Sequence, residues 1–360
     1  MAQAGNNRTA RSSRVALAVV IPIFCGAAMA QSAAPAAEVR EAPARNLPVP
    51  DTVSPQMQRL IGQPLNALWK FDPKTTDDWK AIVDRATRAS LAGVAKAKEA
   101  LGVKVEPATM GGVPVFIVTP KQIPERNRGR LLMHLHGGIR VFGPGESGTY
   151  EAILMAALAG YRIVSVDYRM PPDHPFPAAL DDSVAVYREL LKSNAPSRIA
   201  LFGTSAGGNL VSTTLLRAKA EGLPMPAAIA LGTPTVDLTK TGDSLFTNAM
   251  VDNVLVTQDG FIRATAYLYA NGRDLKDPLL SPIYGDVKGF PPAILTSGTR
   301  DLYLSNTVRM HRKLRSAGVE AVLQVWEGQS HAQYLMDAAA PETIEYHQEL
   351  ASFLDTHLAP

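Results

Sequence analysis

A serine at a glycine-rich turn is the residue whose surroundings point most clearly to chemistry. Ser205 is the middle residue of the sequence GTSAG at 203–207, which follows an apolar run at 199–202 and precedes a run with helical spacing. Strand, G-x-S-x-G and helix together are typical of a nucleophile elbow, which holds the serine hydroxyl clear of the sheet at a helix N-terminus. The pattern also fits a plain glycine-rich loop, so a base, an acid and an oxyanion hole must accompany it.

The candidate base is His331. It lies in a loop just after a predicted strand at 321–325, and loops at the carboxyl ends of strands are where open α/β sheets place their sites. The other six histidines fall in or just after a strand, in a proline-rich turn or in predicted helices: His134, His136, His174, His311, His347 and His357. His331 is therefore the histidine expected to take the serine proton.

The candidate acid is Asp301, which follows a predicted strand at 293–296 and directly precedes a helix. An aspartate in this place often serves only as a helix N-cap. Glu327, four residues before His331, competes for the role. The acid must reach the imidazole nitrogen turned away from Ser205, which suits the end of a neighbouring strand better than the histidine's own loop.

Consecutive glycines after another predicted strand are the candidate oxyanion hole. The sequence HGGI at 136–139 follows the strand at 130–135, and glycines there leave backbone N–H groups uncovered. An acyl-transfer enzyme needs such donors at the carbonyl oxygen of its tetrahedral intermediate. A tight turn with a structural histidine is the alternative. His136 is expected to hold this loop by hydrogen bonding, and His134 to be packed.

The elements that must position these residues form an α/β fold. From Val103 onward strands and helices alternate, which predicts one catalytic domain at 103–360, with a mostly parallel central sheet flanked by helices. After a hairpin at 105–107 and 113–118, the expected strands are 130–135, 162–166, 199–202, 228–231, 293–296 and 321–325. The expected helices include 153–159, 179–192 and 341–357. No P-loop or G-x-G-x-x-G sequence suggests a nucleotide.

The region 51–102 is predicted to be helical. The second of its two expected helices begins at a capping signal, Thr75 to Asp78, and ends at Gly102. Six of its apolar residues fall roughly on one face: Trp79, Ile82, Val83, Leu91, Val94 and Leu101. These helices either pack on their own domain or form a cap over an active site.

The first 30 residues have the parts of a signal peptide. Arginines at 8, 11 and 14 precede an apolar run at 15–25, and Ala-Met-Ala at 28–30 is a cleavage signal before Gln31. The apolar run is short for a membrane span, so export to a periplasm or out of the cell is expected, without a stable membrane anchor. Residues 31–50, rich in Ala and Pro, are expected to be a flexible lead-in.

Cleavage would change the composition of the mature chain. The only cysteine, Cys25, would leave with the signal peptide, so neither a disulfide nor a thiol nucleophile is expected. Because three arginines leave too, Lys and Arg fall from 36 to 33, which equals the 33 Asp and Glu. With no basic stripe and no nucleic-acid motif, nucleic acid is not an expected partner.

Three stretches together resemble one family. The sequence HGGI at 136–139 resembles H-G-G-G, and DYRMPPDHPFPAA at 167–179 is very close to D-Y-R-L-A-P-E-H-P-F-P-A-A. The sequence GTSAGGNL at 203–210 resembles G-D-S-A-G-G-N-L. These are motifs of the hormone-sensitive-lipase-like (family IV) branch of the α/β-hydrolases, a family of carboxylesterases. The similarity covers about 103 to the C-terminus, and the helices at 54–102 sit where the family has its cap.

The resemblance implies a serine carboxylesterase for short- to medium-chain esters, with no metal and no organic cofactor. The triad, in the family's chain order, would be Ser205, Asp301 and His331. The oxyanion donors would be the N–H groups of Gly138, Ile139 and Ala206, with Gly137 shaping the loop. A small-molecule ester is thus the expected partner, and a homodimer is left open.

Two departures from the family pattern bear on the site. Ile139 replaces the third glycine, which leaves an N–H donor but should narrow the mouth. Thr204 replaces the aspartate before the nucleophile, which is expected to remove a charge beside the site. Three other functions remain open: a lactone hydrolase with the same triad, an amidase or peptidase, and a non-catalytic ligand-binding protein on this fold.

Overall fold

A computed structural model of the chain describes residues 41–360, which belong to two units. Of the first unit, Met1–Leu47, only residues 41–47 are described, and they contain neither helix nor strand. The second unit, Pro48–Pro360, contains every helix and strand that follows. The predicted signal peptide at 1–30 and residues 31–40 of the predicted lead-in at 31–50 lie outside the described residues.

Eight strands form one sheet at the centre of the second unit. They are β1 Lys104–Met110, β2 Val113–Thr119, β3 Leu131–Leu135, β4 Arg162–Val166, β5 Ile199–Thr204, β6 Ala228–Gly232, β7 Ala293–Gly298 and β8 Ala321–Trp326. Their order across the sheet is β1-β2-β4-β3-β5-β6-β7-β8. The pairs β1–β2 and β2–β4 are antiparallel and all others are parallel. The predicted mostly parallel sheet with an opening hairpin is confirmed.

Nine α-helices accompany the sheet in residues 41–360. They are α1 Pro55–Ile61, α2 Thr76–Leu101, α3 Tyr150–Ala159, α4 Ala178–Leu190, α5 Ala206–Ala220, α6 Ser244–Thr247, α7 Phe261–Ala270, α8 Leu304–Ser316 and α9 Pro341–His357. The predicted helices appear within a few residues of their expected bounds. Helix α7 was not predicted, and it follows Gly260 without a side-chain cap.

The core lies on both faces of the sheet. Every residue of β5, β6 and β7 is buried, which explains why these strands are continuous apolar runs in the sequence. One buried cluster contains side chains of α4, α5 and α8, and the other contains side chains of α3, α9 and the end of α2. Central strands covered on both faces hold their carboxyl ends at one fixed edge.

Helix α2 is held at its two ends. The predicted capping signal is confirmed, because Thr75 and Asp78 form a capping box, and Gly102 ends the helix with φ 64°. Trp79 and Ile82 are buried in one cluster and Val94 in another. Leu91, predicted on the buried face, is 39% exposed. It lies in the middle of the helix, where residues 88–93 are all exposed because no other element covers them.

The N-terminal helices are also tied to the C-terminal part of the chain. The backbone N–H and the hydroxyl of Ser54 both donate to the carboxylate of Glu342, at 2.7 Å each. Glu342 lies in the first turn of α9.

Within residues 41–360, no helix is both long and apolar enough to cross a membrane.

Candidate active site

Ser205 lies between β5 and α5 in a strained backbone conformation. Its φ is 62° and ψ −118°, and Ala206 is the first residue of α5. A Cβ atom at Gly203 would lie 2.2 Å from the carbonyl oxygen of Leu135, and one at Gly207 only 1.9 Å from it. Both flanking positions therefore require glycine, because the elbow is pressed against the end of β3. The predicted strand–turn–helix geometry around Ser205 is confirmed.

His331 and Ser205 line the same cavity. The imidazole is 4% exposed, and its Nδ1 donates to Oδ1 of Asp301 at 3.0 Å. Its Nε2 has no hydrogen-bond partner among the described residues. One nitrogen of the ring is thus oriented by a carboxylate while the other is free, which is the arrangement of a general base. Hydrogen bonds between a base and its nucleophile are often long before substrate binds.

Asp301 is fully buried and makes several hydrogen bonds. Its Oδ1 also accepts from the N–H of Tyr303 at 2.8 Å, and its Oδ2 accepts from the hydroxyls of Ser297, at 2.9 Å, and Thr233. Burial acts to raise the pKa of Asp301, but His331 and the hydrogen bonds outweigh burial and lower it. Glu327, the competing acid, is exposed at the end of β8. The geometry therefore favours Asp301 as the partner of His331.

Thr233 is a site residue that no sequence pattern marks. It follows β6, and its Oγ1 contacts Oδ2 of Asp301 and lies 3.1 Å from Nδ1 of His331. Its φ of 31° is unusual for a β-branched residue. The hydroxyl thus contacts both the acid and the base, from the strand end next to that of Asp301.

A second buried aspartate, Asp252, lies beside the triad. Its Oδ2 accepts from the N–H of Leu302 at 2.8 Å and of His331 at 3.3 Å. Burial, followed by the charge of Asp301, raises the pKa of Asp252 to about 6, although His331 acts in the opposite direction. It belongs to the stretch between β6 and β7, for which the sequence shows no clear periodicity.

The loop after β3 carries the candidate oxyanion donors. A Cβ atom at Gly137 would lie 2.9 Å from the carbonyl oxygen of Thr204, so this loop lies against the elbow. Gly138 has φ 111° and Ile139 φ 45°. Among the described residues, the N–H groups of Gly138 and Ile139 donate to no protein acceptor. The N–H of Ala206, at the start of α5, has no partner within its own helix.

Ile139 is held by packing. Its side chain is buried in one cluster with Trp79 of α2, Phe261 of α7 and Leu302, which follows the candidate acid. Ile139 also lines the cavity over Ser205, and its cluster includes residues of α2. The narrowing of the mouth by this side chain stays a prediction.

His136 holds the loop, as predicted. Its ring stacks on Tyr168 with 4.2 Å between centroids, and the hydroxyl of Tyr168 donates to the backbone carbonyl of His136 at 2.6 Å. Burial lowers the pKa of His136 to about 3, so the ring is neutral at ordinary pH. His134 is fully buried and lies 3.2 Å from Oε2 of Glu151.

Thr204, which stands where the family motif has an aspartate, contacts the carboxyl group of another residue. Thr204 donates to Oε1 of Glu151, in α3, at 2.6 Å. Glu151 is buried and lines the cavity that holds Ser205. The motif's own carboxyl group is absent at position 204, as the sequence indicates, but a distant element brings another carboxyl group into contact with Thr204.

The cavity over Ser205 has a volume of about 330 Å³. The cavity is closed by the segment between α1 and α2, the loop at 136–139, the stretch before α7 and the loop that carries His331. Its apolar lining includes Leu68, Trp69, Ile139, Phe142, Val254, Leu255, Phe261, Ile262, Leu335 and Met336. A pocket of this size and character suits a small, largely apolar molecule.

Known proteins with related sequences are esterases. A family model described as "alpha/beta hydrolase fold" matches residues 132–335, which include all the candidate site residues. An acetyl-hydrolase of Streptomyces hygroscopicus is 32% identical over 234 residues, covering 65% of this chain and 78% of that protein. An esterase of Acinetobacter venetianus is 29% identical over 227 residues, covering 62% of this chain and 74% of that protein.

Solved structures similar to this chain are also esterases. The crystal structure of the esterase E25 has a TM-score of 0.87 and 44% identity, covering 89% of this chain and 99% of that one. The crystal structure of an esterase from the bacterial hormone-sensitive lipase family has a TM-score of 0.71 and 30% identity, covering 85% of this chain and 99% of that one.

Proposed function

The chain belongs to the α/β-hydrolase family, to its hormone-sensitive-lipase-like branch of carboxylic ester hydrolases, and we propose that Ser205, His331 and Asp301 carry out the hydrolysis. One observation carries the proposal. His331 has Nδ1 on the carboxylate of Asp301 at 3.0 Å and a free Nε2 in the cavity that also exposes Ser205. A base oriented in this way beside a serine at an elbow is equipped for acyl transfer.

In the first half of the reaction, Nε2 of His331 takes the proton of the Ser205 hydroxyl as Oγ attacks the ester carbonyl. The tetrahedral intermediate has a negative oxygen, which the N–H groups of Gly138, Ile139 and Ala206 stabilise. When the intermediate collapses, the alcohol leaves with the proton that His331 holds. The acyl group stays on Ser205.

In the second half, His331 takes a proton from a water molecule, and the resulting hydroxide attacks the acyl enzyme. Collapse of the second intermediate breaks the bond to Ser205, whose oxygen regains the proton from His331. Asp301 keeps the same imidazole tautomer throughout and stabilises the imidazolium. Thr233 and Ser297 fix the second oxygen of that carboxylate.

We propose neutral esters with short- to medium-chain acyl groups as substrates. The cavity of about 330 Å³ is at the small end of ligand pockets, and apolar side chains line most of it. Glu151 is the only Asp or Glu among the lining residues, and no Lys or Arg is among them. A neutral acyl chain therefore fits this lining better than a charged one. The acetyl-hydrolase name of one relative points the same way.

Purified protein and Ser205→Ala protein should be compared on p-nitrophenyl acetate, butyrate and laurate, with lactones and anilides as further arms. We expect turnover of the shorter esters to be fastest, and the variant to lose several powers of ten. A fluorophosphonate should label the wild-type protein at Ser205 and should not label the variant. Lactone turnover above ester turnover would favour a lactonase, and equal labelling of both proteins would reject Ser205 as nucleophile.

A further inference from the structure

Asp252 is a fully buried carboxylate that the proposed reaction does not use. It lies in the stretch between α6 and α7, and it is not among the residues that line the cavity. Both of its oxygens are occupied by backbone donors. Oδ1 accepts from the N–H groups of Val254 and Leu255, at 2.8 and 3.0 Å. The carboxylate therefore has no free position for substrate, and its role must be exerted through the residues that it contacts.

The other oxygen joins the two loops that carry the acid and the base. Oδ2 accepts from the N–H of Leu302, the residue after Asp301, and from the N–H of His331 itself. These loops follow two different strands, β7 and β8. Acid and base stay within hydrogen-bonding distance only if the two loops keep a fixed position relative to each other. A single oxygen atom that accepts hydrogen bonds from both backbones fixes that relative position.

The stretch around Asp252 is itself anchored on both sides. Asn248 donates to the carbonyl oxygen of Asp301 at 2.9 Å. The side-chain amide of Asn253 donates to the carbonyl oxygens of Leu60 and Gln63, at the end of α1, at 2.9 and 3.0 Å. The N–H of Asn253 donates to the hydroxyl of Ser330, the residue before His331, at 3.1 Å. Asp252 thus acts from a fixed position.

The charge of Asp252 also reaches the imidazole. The ionisable groups that face His331 are Asp301, Asp252 and Tyr303, whose ring meets the imidazole edge-on at 5.4 Å. Burial raises the pKa of Tyr303, so its phenol stays neutral, and Arg140 is the cation whose charge acts on that phenol. Two carboxylates therefore favour the protonated imidazole that forms during the reaction.

We propose that Asp252 is a positioning residue for the hydrolysis, and that it holds His331 in register with Asp301 and stabilises the imidazolium by its charge. The proposal rests on the proposed function of Ser205, His331 and Asp301. It adds a fourth group, which acts through the backbone of the triad loops and does not touch substrate.

The test is Asp252→Asn, which keeps the shape of the side chain but removes its charge and replaces one acceptor by a donor. We expect kcat on p-nitrophenyl butyrate to fall by roughly tenfold to a hundredfold, because small misplacements in a catalytic site cost that much. KM should change little. The acid limb of kcat/KM should move to lower pH, because the variant loses the negative charge beside the imidazole and also loses a carboxyl group whose own pKa is raised to about 6.

Asp237→Asn is the matched control. Asp237 is an equally buried aspartate, but its partners are Arg309, Tyr284 and its own turn, away from the triad. This variant should keep the wild-type acid limb. Asn248→Ala loosens the acid loop without changing a charge, so it should lower kcat and leave the acid limb in place.

Fluorophosphonate titration of Ser205 gives the concentration of competent sites, so kcat refers to folded protein only. If Asp252→Asn is not recovered folded, Asn253→Ala carries the test, since it frees the stretch that holds Asp252. It should lower kcat severalfold at unchanged KM, and an unchanged kcat would overturn the proposal. An Asp252→Asn enzyme with the wild-type kcat and acid limb would do the same. Wild-type protein that neither reacts with the fluorophosphonate nor hydrolyses esters would instead refute the proposed function.

Discussion

The hydroxyl of Thr204 donates a 2.6 Å hydrogen bond to Oε1 of Glu151. The first residue immediately precedes the nucleophile, and the second lies in α3, on a different βα unit. The pair supplies behind the elbow a carboxyl group that the family motif carries at position 204. The elbow is therefore bonded to α3 as well as to its own strand and helix.

Thr204→Val should therefore cost both stability and activity. The change leaves one oxygen of the buried Glu151 without its donor, which costs about 1–3 kcal/mol of unfolding free energy. We expect kcat to fall as well, because Thr204 adjoins Ser205. Thr213→Val is the control and should cost less, because the hydroxyl of this buried threonine donates, within residues 41–360, only to a carbonyl of its own helix. Urea unfolding and ester kinetics on both variants measure the difference, and equal losses would contradict the importance of the pair.

Asp301→Asn should keep the fold but present a poor partner to Nδ1 of His331. The corresponding change in a serine protease costs about 10⁴ in kcat, and we expect a loss of at least about 10². Glu327→Gln, at the exposed competing carboxylate, should cost less than about tenfold. Measuring kcat for both, with circular dichroism to verify folding, separates the two candidates. If Glu327→Gln is the more damaging change, Asp301 is not the acid.

Substitution of Ile139 by alanine and by glycine should reverse the usual order of stability of these two variants. Its φ of 45° costs a residue with a Cβ atom about 1–2 kcal/mol, and glycine avoids that cost. Ile139→Gly should therefore be at least as stable as Ile139→Ala, although both lose the packing against α2. Ile153, buried in the helix α3, is the control, and there glycine should be less stable than alanine by about 1 kcal/mol. Thermal unfolding of the four variants gives the two differences, and the same order at both positions would contradict strain at Ile139.

Export should remove the first 30 residues. The Ala-Met-Ala sequence at 28–30 predicts a mature protein that starts at or near Gln31. N-terminal sequencing of protein from the periplasm and the medium of an expressing bacterium checks this. Protein recovered there with residues 1–30 intact would refute cleavage.

The parts of the site that the sequence predicted share one property. Ser205 and the loop at 136–139 directly follow β5 and β3, and Asp301 and His331 lie in the loops after β7 and β8. A parallel sheet places all these strand ends at one edge. Local patterns were therefore enough to bring them together. The fold could be predicted in the same way, because strand-like and helix-like periodicity alternate along the sequence.

The missed residues reach the site through contacts distant in sequence. Glu151 and Asp252 are ordinary acidic residues in a helix and in an irregular stretch, and only the packing of other elements places them beside the triad. Thr233 follows a strand, but a lone threonine carries no signal that distinguishes it from a turn residue. Leu91 fits the apolar face of α2 by spacing, yet spacing alone does not show that no other element covers the middle of the helix.

The bond between Ser54 and Glu342 has a consequence for the order in which the chain folds. It joins residues 288 positions apart, and Asn253, which holds the end of α1, also comes long after that helix in the sequence. During synthesis or translocation from the N-terminus, α1 and α2 emerge well before these partners. Contacts of such long range form late in folding, because closing the intervening loop costs entropy first. We therefore expect the segment around α1 to dock only after the sheet is complete. A protein trapped just before that step would have its strands in place but would lack the α1 side of its site.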